Sequence, residues 1–322
     1  MKLVTAFLRL IRWPNLVFIV VTQCLFYYCI IRPVFSFYNS SPVLNQFYFW
    51  HIVVASVLIA AAGYIINDYF DLNIDRINKP DKLVVEKIIK RRWTILWHLV
   101  LSLTGIVMIT IVCLHFFDWH SILTAVLTLL CVMVLWLYST TYKRRLLIGN
   151  ILISLLTAWV ILILYLINER SWFMVKVMYE IKHNYELASA KIFKYAIVYA
   201  SFAFIISLIR EVIKDMEDME GDAKYGCKTM PIVWGIPATK VFTAVWLIVL
   251  TGALIILQFY AMHLGWWWSV AYCAAAIILP LLYILYKLYK AQVTKDYHQL
   301  SNAVKLVMLA GILSMVFFKI YS

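Results

Sequence analysis

Long apolar runs separated by short polar stretches fill the chain, with no alternating pattern of the kind a half-buried strand requires. A helix needs about 20 mostly apolar residues to cross a bilayer. Nine windows meet that need: 16–31, 47–67, 93–114, 119–138, 146–167, 195–213, 241–260, 266–286 and 300–320. The pattern predicts an all-α membrane protein with nine transmembrane helices. Residues 1–15, where Arg9 and Arg12 interrupt an apolar run ahead of Trp13-Pro14-Asn15, carry no small-x-small cleavage site and read as an interfacial helix. The 168–194 connection is an outer loop long enough for a short amphipathic surface helix. Pro280 predicts a kink in the eighth span, and Gly63, Gly105 and Gly149 predict close helix packing. No Gly/Ser-rich or Pro-rich linker divides the chain, so 1–322 is expected to be one domain.

Composition agrees. Of the 322 residues 65% are hydrophobic and only 14% charged, against about 25% charged in an ordinary soluble domain. The formal net charge is +13, and in so apolar a chain that excess argues membrane topology, with no nucleic-acid partner. With a cytoplasmic N-terminus, 22 of the 29 Lys and Arg fall on the inner side and seven outside, which predicts an inner (plasma) membrane protein with its C-terminus outside. The six cysteines are scattered without C-x-x-C pairs or metal spacing and read as small buried hydrophobes. The seven histidines lie mostly near span ends and read as interfacial.

The carboxylates are few and unevenly placed. Eleven of the sixteen fall in two clusters at the inner ends of the second and sixth spans. Asn67, Asp68, Asp71 and Asp75 share helical spacing, and Asp215, Asp218 and Asp222 repeat it at i, i+3, i+7. Glu217 and Glu220 fall off that face and read as solvated surface. Like charges stacked on one face beside hydrocarbon are destabilising unless something positive offsets them. Hard oxygen ligands suit Mg²⁺, which takes one or two carboxylates and completes its octahedron with water and substrate phosphates. Nearby Arg76, Lys79, Lys143, Arg144 and Lys214 would neutralise the remaining phosphate charge. The combination suits a substrate with a diphosphate head and a hydrocarbon tail.

The two signatures, Asn67-Asp68-x-x-Asp71-x-x-x-Asp75 and Asp215-x-x-Asp218-x-x-x-Asp222, resemble those of the UbiA superfamily of intramembrane prenyltransferases. Arg9 to Asn15 resembles the family's Arg/Pro/Asn lead into the first helix, and Tyr138 to Arg144 its diphosphate-contacting segment after the fourth. The stretch from Arg210 to Asp222, followed by Gly226, Thr229 and Pro231, and that from Lys143 to Asn150 are closest to the branch containing geranylgeranylglycerol-phosphate geranylgeranyltransferase. The resemblance implies nine helices around a central cavity, with Mg²⁺ holding an allylic prenyl diphosphate for transfer to a lipophilic acceptor amid membrane lipids. That acceptor is geranylgeranylglyceryl phosphate or an aromatic quinone precursor of the 4-hydroxybenzoate, dihydroxynaphthoate or homogentisate type. The implied metal ligands are Asn67, Asp71, Asp215 and Asp218, with Asp68, Asp75 and Asp222 completing the shell. Asp71, Asp75, Asp215 and Asp222 are the catalytic candidates, and Asn15, Arg76, Lys79, Tyr138, Lys143, Arg144 and Lys214 the substrate-binding ones. A soluble prenyl diphosphate synthase also uses two acidic helices, but nine spans exclude its cytosolic setting. A cation transporter would be expected to hold acids at mid-span, where this chain has almost none, and a scaffold has no use for two metal-spaced clusters.

Overall fold

The structure, a computed structural model, describes residues 2–78, 83–169 and 179–321. Among them, nine helices are long and apolar enough to cross a membrane: Trp13–Phe37, Gln46–Asn78, Arg91–Phe116, Trp119–Thr140, Ile148–Asn168, His183–Glu217, Gly235–His263, Trp267–Lys290 and Thr294–Ile320. Each overlaps one expected window, and among the described residues the only β pairing is an isolated bridge between Val85 and Ile89. Most helices extend well past the apolar run that announced them. The second continues 11 residues beyond its window, through Asp68, Asp71 and Asp75, as one uninterrupted helix.

The first span also overruns its window, because Arg32-Pro33 does not stop it. Phe26–Ile31 is a π-helical turn leading straight into Arg32–Phe37. A proline ring clashes with the carbonyl four residues back, here Cys29, which lies inside the widened turn. Pro280 repeats the arrangement after the π turn Ala274–Ile278, so the expected kink takes the form of a π turn that keeps the helix continuous. The 168–194 connection, expected as an outer loop, is described only in part. Residues 170–178 lie outside the described residues, and from Tyr179 onward the chain is the opening of the 39-residue helix Tyr179–Glu217.

The chain divides into two compact units, Met1–Tyr142 with Trp159–Ile197 and Lys143–Ala158 with Val198–Ser322. In the first, the helix Lys2–Leu10 lays Ala6 and Leu10 against Ile65 and Leu72 of the second span and against Val84, Val85 and Ile89 of the following loop. Gly105 lets the third span approach the second, since a Cβ there would stand 2.7 Å from Ile59 Cγ1 and 3.1 Å from the Ala55 carbonyl oxygen. His98, expected at an interface, is instead buried and donates from Nδ1 to the Ala62 carbonyl at 2.9 Å. Buried Gln23 donates from Nε2 to Ser56 Oγ and to the Val160 carbonyl, both at 3.1 Å. Such polar ties hold helices together where lipid supplies no hydrophobic drive.

In the second unit, Ile206, Ile209 and Ile213 pack with Leu247 and Leu250, with Leu281 and Ile284, and with Leu300 and Val304. Lys240 Nζ donates to the Ala291 carbonyl, satisfying an orphan acceptor at the end of Leu279–Lys290. All six cysteines lack disulfides, and four are buried. Gly311 is the tightest contact in this unit: a Cβ there would lie 2.3 Å from Cε1 of Phe202. Gly311→Val is therefore expected to lower stability by about 1–3 kcal/mol through overpacking, seen as a lower Tm in detergent. Adding Phe202→Leu should recover most of that loss.

Candidate active site

The first acidic cluster sits on one helix, yet its members do not share one partner. Asp68 follows Ile65 by three residues and precedes Leu72 by four, so it lies on the side packed against the N-terminal helix. There Arg12 Nη2 donates to Asp68 Oδ1 at 2.7 Å, and the guanidinium stands over the Tyr64 ring, 5.2 Å from its centroid. Arg12 adopts a left-handed backbone (φ 50, ψ 52) between the first two helices, a conformation that costs a non-glycine residue about 1 kcal/mol or more. Burial works against the guanidinium's charge, but Asp68, Tyr64 and Asp75 outweigh it and raise the pKa above its ordinary value.

Asn67 and Asp71 lie one helical step around. Asn67 Nδ2 donates to Asp71 Oδ2 at 2.6 Å, and the two side chains are 7% and 4% exposed. The reverse amide orientation would set two oxygens 2.6 Å apart, so the bond decides which way Asn67 points. Its Oδ1 is then left buried with no hydrogen-bond partner. A buried acceptor in that state costs about 1–3 kcal/mol. One lying a helical turn from a buried carboxylate is satisfied well by a hard divalent cation, so the residues present fit Mg²⁺. The face expected to hold all four residues thus resolves into an Asn67–Asp71 pair and an Asp68 engaged by Arg12, with Asp75 half-buried near the latter.

The second cluster spans a joint where one helical face was expected. Asp215 is in the last turn of Tyr179–Glu217. The helix breaks at Asp218 (φ −93, ψ 4), and Asp222, 6% exposed, belongs to the short helix Met219–Lys224. Backbone bonds from Asp218 to the Lys214 carbonyl at 2.8 Å and from Asp222 to the Asp218 carbonyl at 3.3 Å carry the ladder across the break. Lys214 Nζ, at 3.2 Å, and Arg210 Nη1, at 3.0 Å, both donate to Glu211. Glu217 accepts from His298 Nδ1 at 2.7 Å, while Glu220 is exposed and pairs with Lys224.

Within this same unit, Asn150 Nδ2 donates to Asp215 Oδ2 at 2.8 Å. The spacing of the acids does not single out Asn150, which stands 65 residues away. The Gly149-Asn150 pair at the start of the fifth span was its only trace in the sequence. Lys143 and Arg144 form a 3₁₀ turn, Tyr142–Arg144, and the Arg144 carbonyl accepts from the Lys228 amide at 2.8 Å. In the first unit, Arg76 is exposed and paired with Glu86 at 2.9 Å, while Tyr138 and Asn15 are half-buried. Lys79 lies outside the described residues. Among the described residues no group of three or more His, Cys, Asp or Glu side chains is arranged to hold a metal ion by itself. A metal held here would complete its coordination from amide oxygen, water or substrate, as Mg²⁺ ordinarily does.

Removing the Arg12 clamp leaves Asp68 without its donor. Arg12→Gln is expected to cost about 1–3 kcal/mol, the range for a hydrogen bond to a charged group. The readouts are a lower Tm and faster tryptic cleavage within residues 2–12.

Residues 16–310 match the profile of the UbiA prenyltransferase family. A digeranylgeranylglyceryl phosphate synthase of Methanosphaera stadtmanae is 28% identical over 278 residues, 84% of this chain and 89% of that protein. Another, of Thermococcus gammatolerans, is 33% identical over 175 residues, 54% of this chain and 52% of that protein. Among solved structures, a UbiA homolog from Archaeoglobus fulgidus bound to GPP and Mg²⁺ aligns with a TM-score of 0.57 at 13% identity, covering 96% of this chain and 99% of that one. A structure of digeranylgeranylglyceryl phosphate synthase in membranes aligns with a TM-score of 0.61 at 22% identity, covering 98% and 99%. At these identities the structural likenesses speak for the fold, while the profile match runs over nearly all nine spans. The chain belongs to the UbiA prenyltransferase family.

Proposed function

We propose that this protein transfers a prenyl group from an allylic prenyl diphosphate to the hydroxyl of a lipophilic acceptor, geranylgeranylglyceryl phosphate, in a Mg²⁺-dependent reaction. The observation that carries the metal site is the buried Asn67 Oδ1, without a partner and fixed beside Asp71. The choice of acceptor is supported by the relatives of Methanosphaera stadtmanae and Thermococcus gammatolerans, both named digeranylgeranylglyceryl phosphate synthase.

Asn67 and Asp71, joined by Asp75, would hold metal in the first unit, and Asp215, Asp218 and Asp222 in the second. Bound Mg²⁺ would draw charge from the departing diphosphate. Lys143, Arg144 and Lys214 would donate to its oxygens, with Asn15, Arg76 and Lys79 completing the substrate contacts. Arg76 would exchange Glu86 for phosphate. Asp68, clamped by Arg12, would set the helix that presents Asn67 and Asp71. Apolar spans would keep water from the allylic carbon, where it would yield the free alcohol, and the Tyr138 ring would face developing positive charge. The bond between C1 and the diphosphate oxygen breaks, the acceptor oxygen bonds to C1, and the hydroxyl proton leaves with the diphosphate or solvent.

The N-terminus and both acidic clusters would face the cytoplasm across the plasma membrane, a reading supported by the 22 to 7 division of Lys and Arg. Alkaline phosphatase fused after Ser322 should then be active and the same reporter fused after Asn78 inactive. The opposite pair of results would invert the topology.

Purified protein incubated with geranylgeranyl diphosphate and Mg²⁺ should convert geranylgeranylglyceryl phosphate to an adduct, detected by mass spectrometry and abolished by EDTA. Conversion of 4-hydroxybenzoate, dihydroxynaphthoate or homogentisate in its place would move the acceptor to the aromatic class. Asp71→Ala and Asp215→Ala should each lower turnover by about 10³-fold or more, the scale lost with a principal electrostatic group, while eluting as the wild type does. Full activity in either variant would sink the metal assignment.

A further inference from the structure

Each acidic cluster contains a carboxylate held by an asparagine. In the first it is Asn67 Nδ2 on Asp71 Oδ2 at 2.6 Å, and in the second Asn150 Nδ2 on Asp215 Oδ2 at 2.8 Å. The first pair is local, one helical turn apart. The second is assembled by packing between separate helices, and its asparagine belongs to neither acidic signature.

The packing is specific. Leu146, Leu147 and Ile151 lie against Leu208, Val212 and Met230. Val212 and Asp215 are three apart on the sixth span, while Asn150 and Ile151 are in the first turn of the fifth, directly after Leu147, so the contact that packs Leu146, Leu147 and Ile151 against the sixth span also brings the amide to the carboxylate. Leu147 adopts a left-handed backbone, φ 60, which a branched residue keeps only where its surroundings demand it. The Asn150 carbonyl accepts from Ser154 Oγ at 2.6 Å, and the Asn150 side chain is 8% exposed.

A carboxylate oxygen withdrawn from water needs a hydrogen-bond donor. A cationic donor would meet that need but compete with a metal ion for the carboxylate. A neutral amide meets it without adding positive charge at the site.

We propose that Asn150 is a positioning residue of the active site, whose amide pins one oxygen of Asp215 and leaves the other turned for a divalent cation. This rests on the prenyl-transfer reading above for its catalytic consequence, though not for its effect on metal binding.

The test uses the full-length protein in detergent, with Mn²⁺ in place of Mg²⁺ so that binding is followed by electron paramagnetic resonance without substrate. Asn150→Leu keeps the side-chain volume and removes the donor, and Asn150→Ala serves if leucine prevents folding. The expected result is a Kd for Mn²⁺ raised about 10- to 100-fold, the usual effect of losing a partner that orients a ligand, with kcat lowered to a similar degree. The acceptor KM should stay within error of wild type, while Tm falls modestly because Asp215 loses its donor. Asn150→Asp keeps the shape but supplies oxygen in place of N–H, and should be impaired at least as much as Asn150→Ala. Wild-type Mn²⁺ affinity in the leucine and alanine variants would overturn the proposal. So would a lowered Tm with unchanged affinity, which would make Asn150 merely structural. Retained Mn²⁺ affinity in Asn150→Asp would overturn the donor role in favour of direct ligation. Absence of prenyl diphosphate consumption by wild type that nonetheless binds Mn²⁺ counts against the function alone.

Discussion

Keeping acidic side chains ionised at the ends of helices built for hydrocarbon requires a donor or a cation for each, and much of the local structure answers that requirement. Isolated charges beside lipid are expensive, and removing a single partner from a buried polar pair costs more than the pair itself contributes. Arg12 meets Asp68 and Asn67 meets Asp71. Arg210 and Lys214 meet Glu211, and Asn150 meets Asp215. Charged donors go to Asp68 and Glu211, while neutral amides go to Asp71 and Asp215. The neutral donors leave net negative charge where the proposed chemistry needs a metal ion.

That division depends on helix continuity. Extending Gln46–Asn78 past its apolar run carries Asn67 and Asp71 as a rigid continuation of a membrane span, supported by Ala6 and Leu10 beneath Ile65 and Leu72. The first and eighth spans meet the opposite problem, prolines within their length, and widen one turn into a π segment ahead of each. Where helices must approach, Gly105 and Gly311 remove the Cβ that would collide with Ile59 and Phe202. Close contact and interhelical hydrogen bonds stand in for the hydrophobic force that lipid does not provide.

That the acids gather in two clusters was legible from their spacing, because helical geometry converts i, i+3, i+4 and i+7 into neighbouring positions. What each one does was not. Asp68 and Asp71 are three residues apart and look equivalent in sequence, yet a partial rotation about the helix axis sends one toward Arg12 and the other toward Asn67. The i, i+3, i+7 run of the second cluster suggested one face, and a break at Asp218 divides it. Arg76 looked like a phosphate ligand and is paired with Glu86 on the surface.

The sequence by itself determined the nine spans and the two acidic signatures, because hydrocarbon thickness and helix periodicity act along the chain and leave their period in it. The partners of those acids were decided only by tertiary structure. Asn150 lies 65 residues from Asp215, and Arg12 lies 56 from Asp68. Such pairings come from which helices pack and by what rotation, and that depends on side-chain volumes meeting across interfaces that no local pattern records.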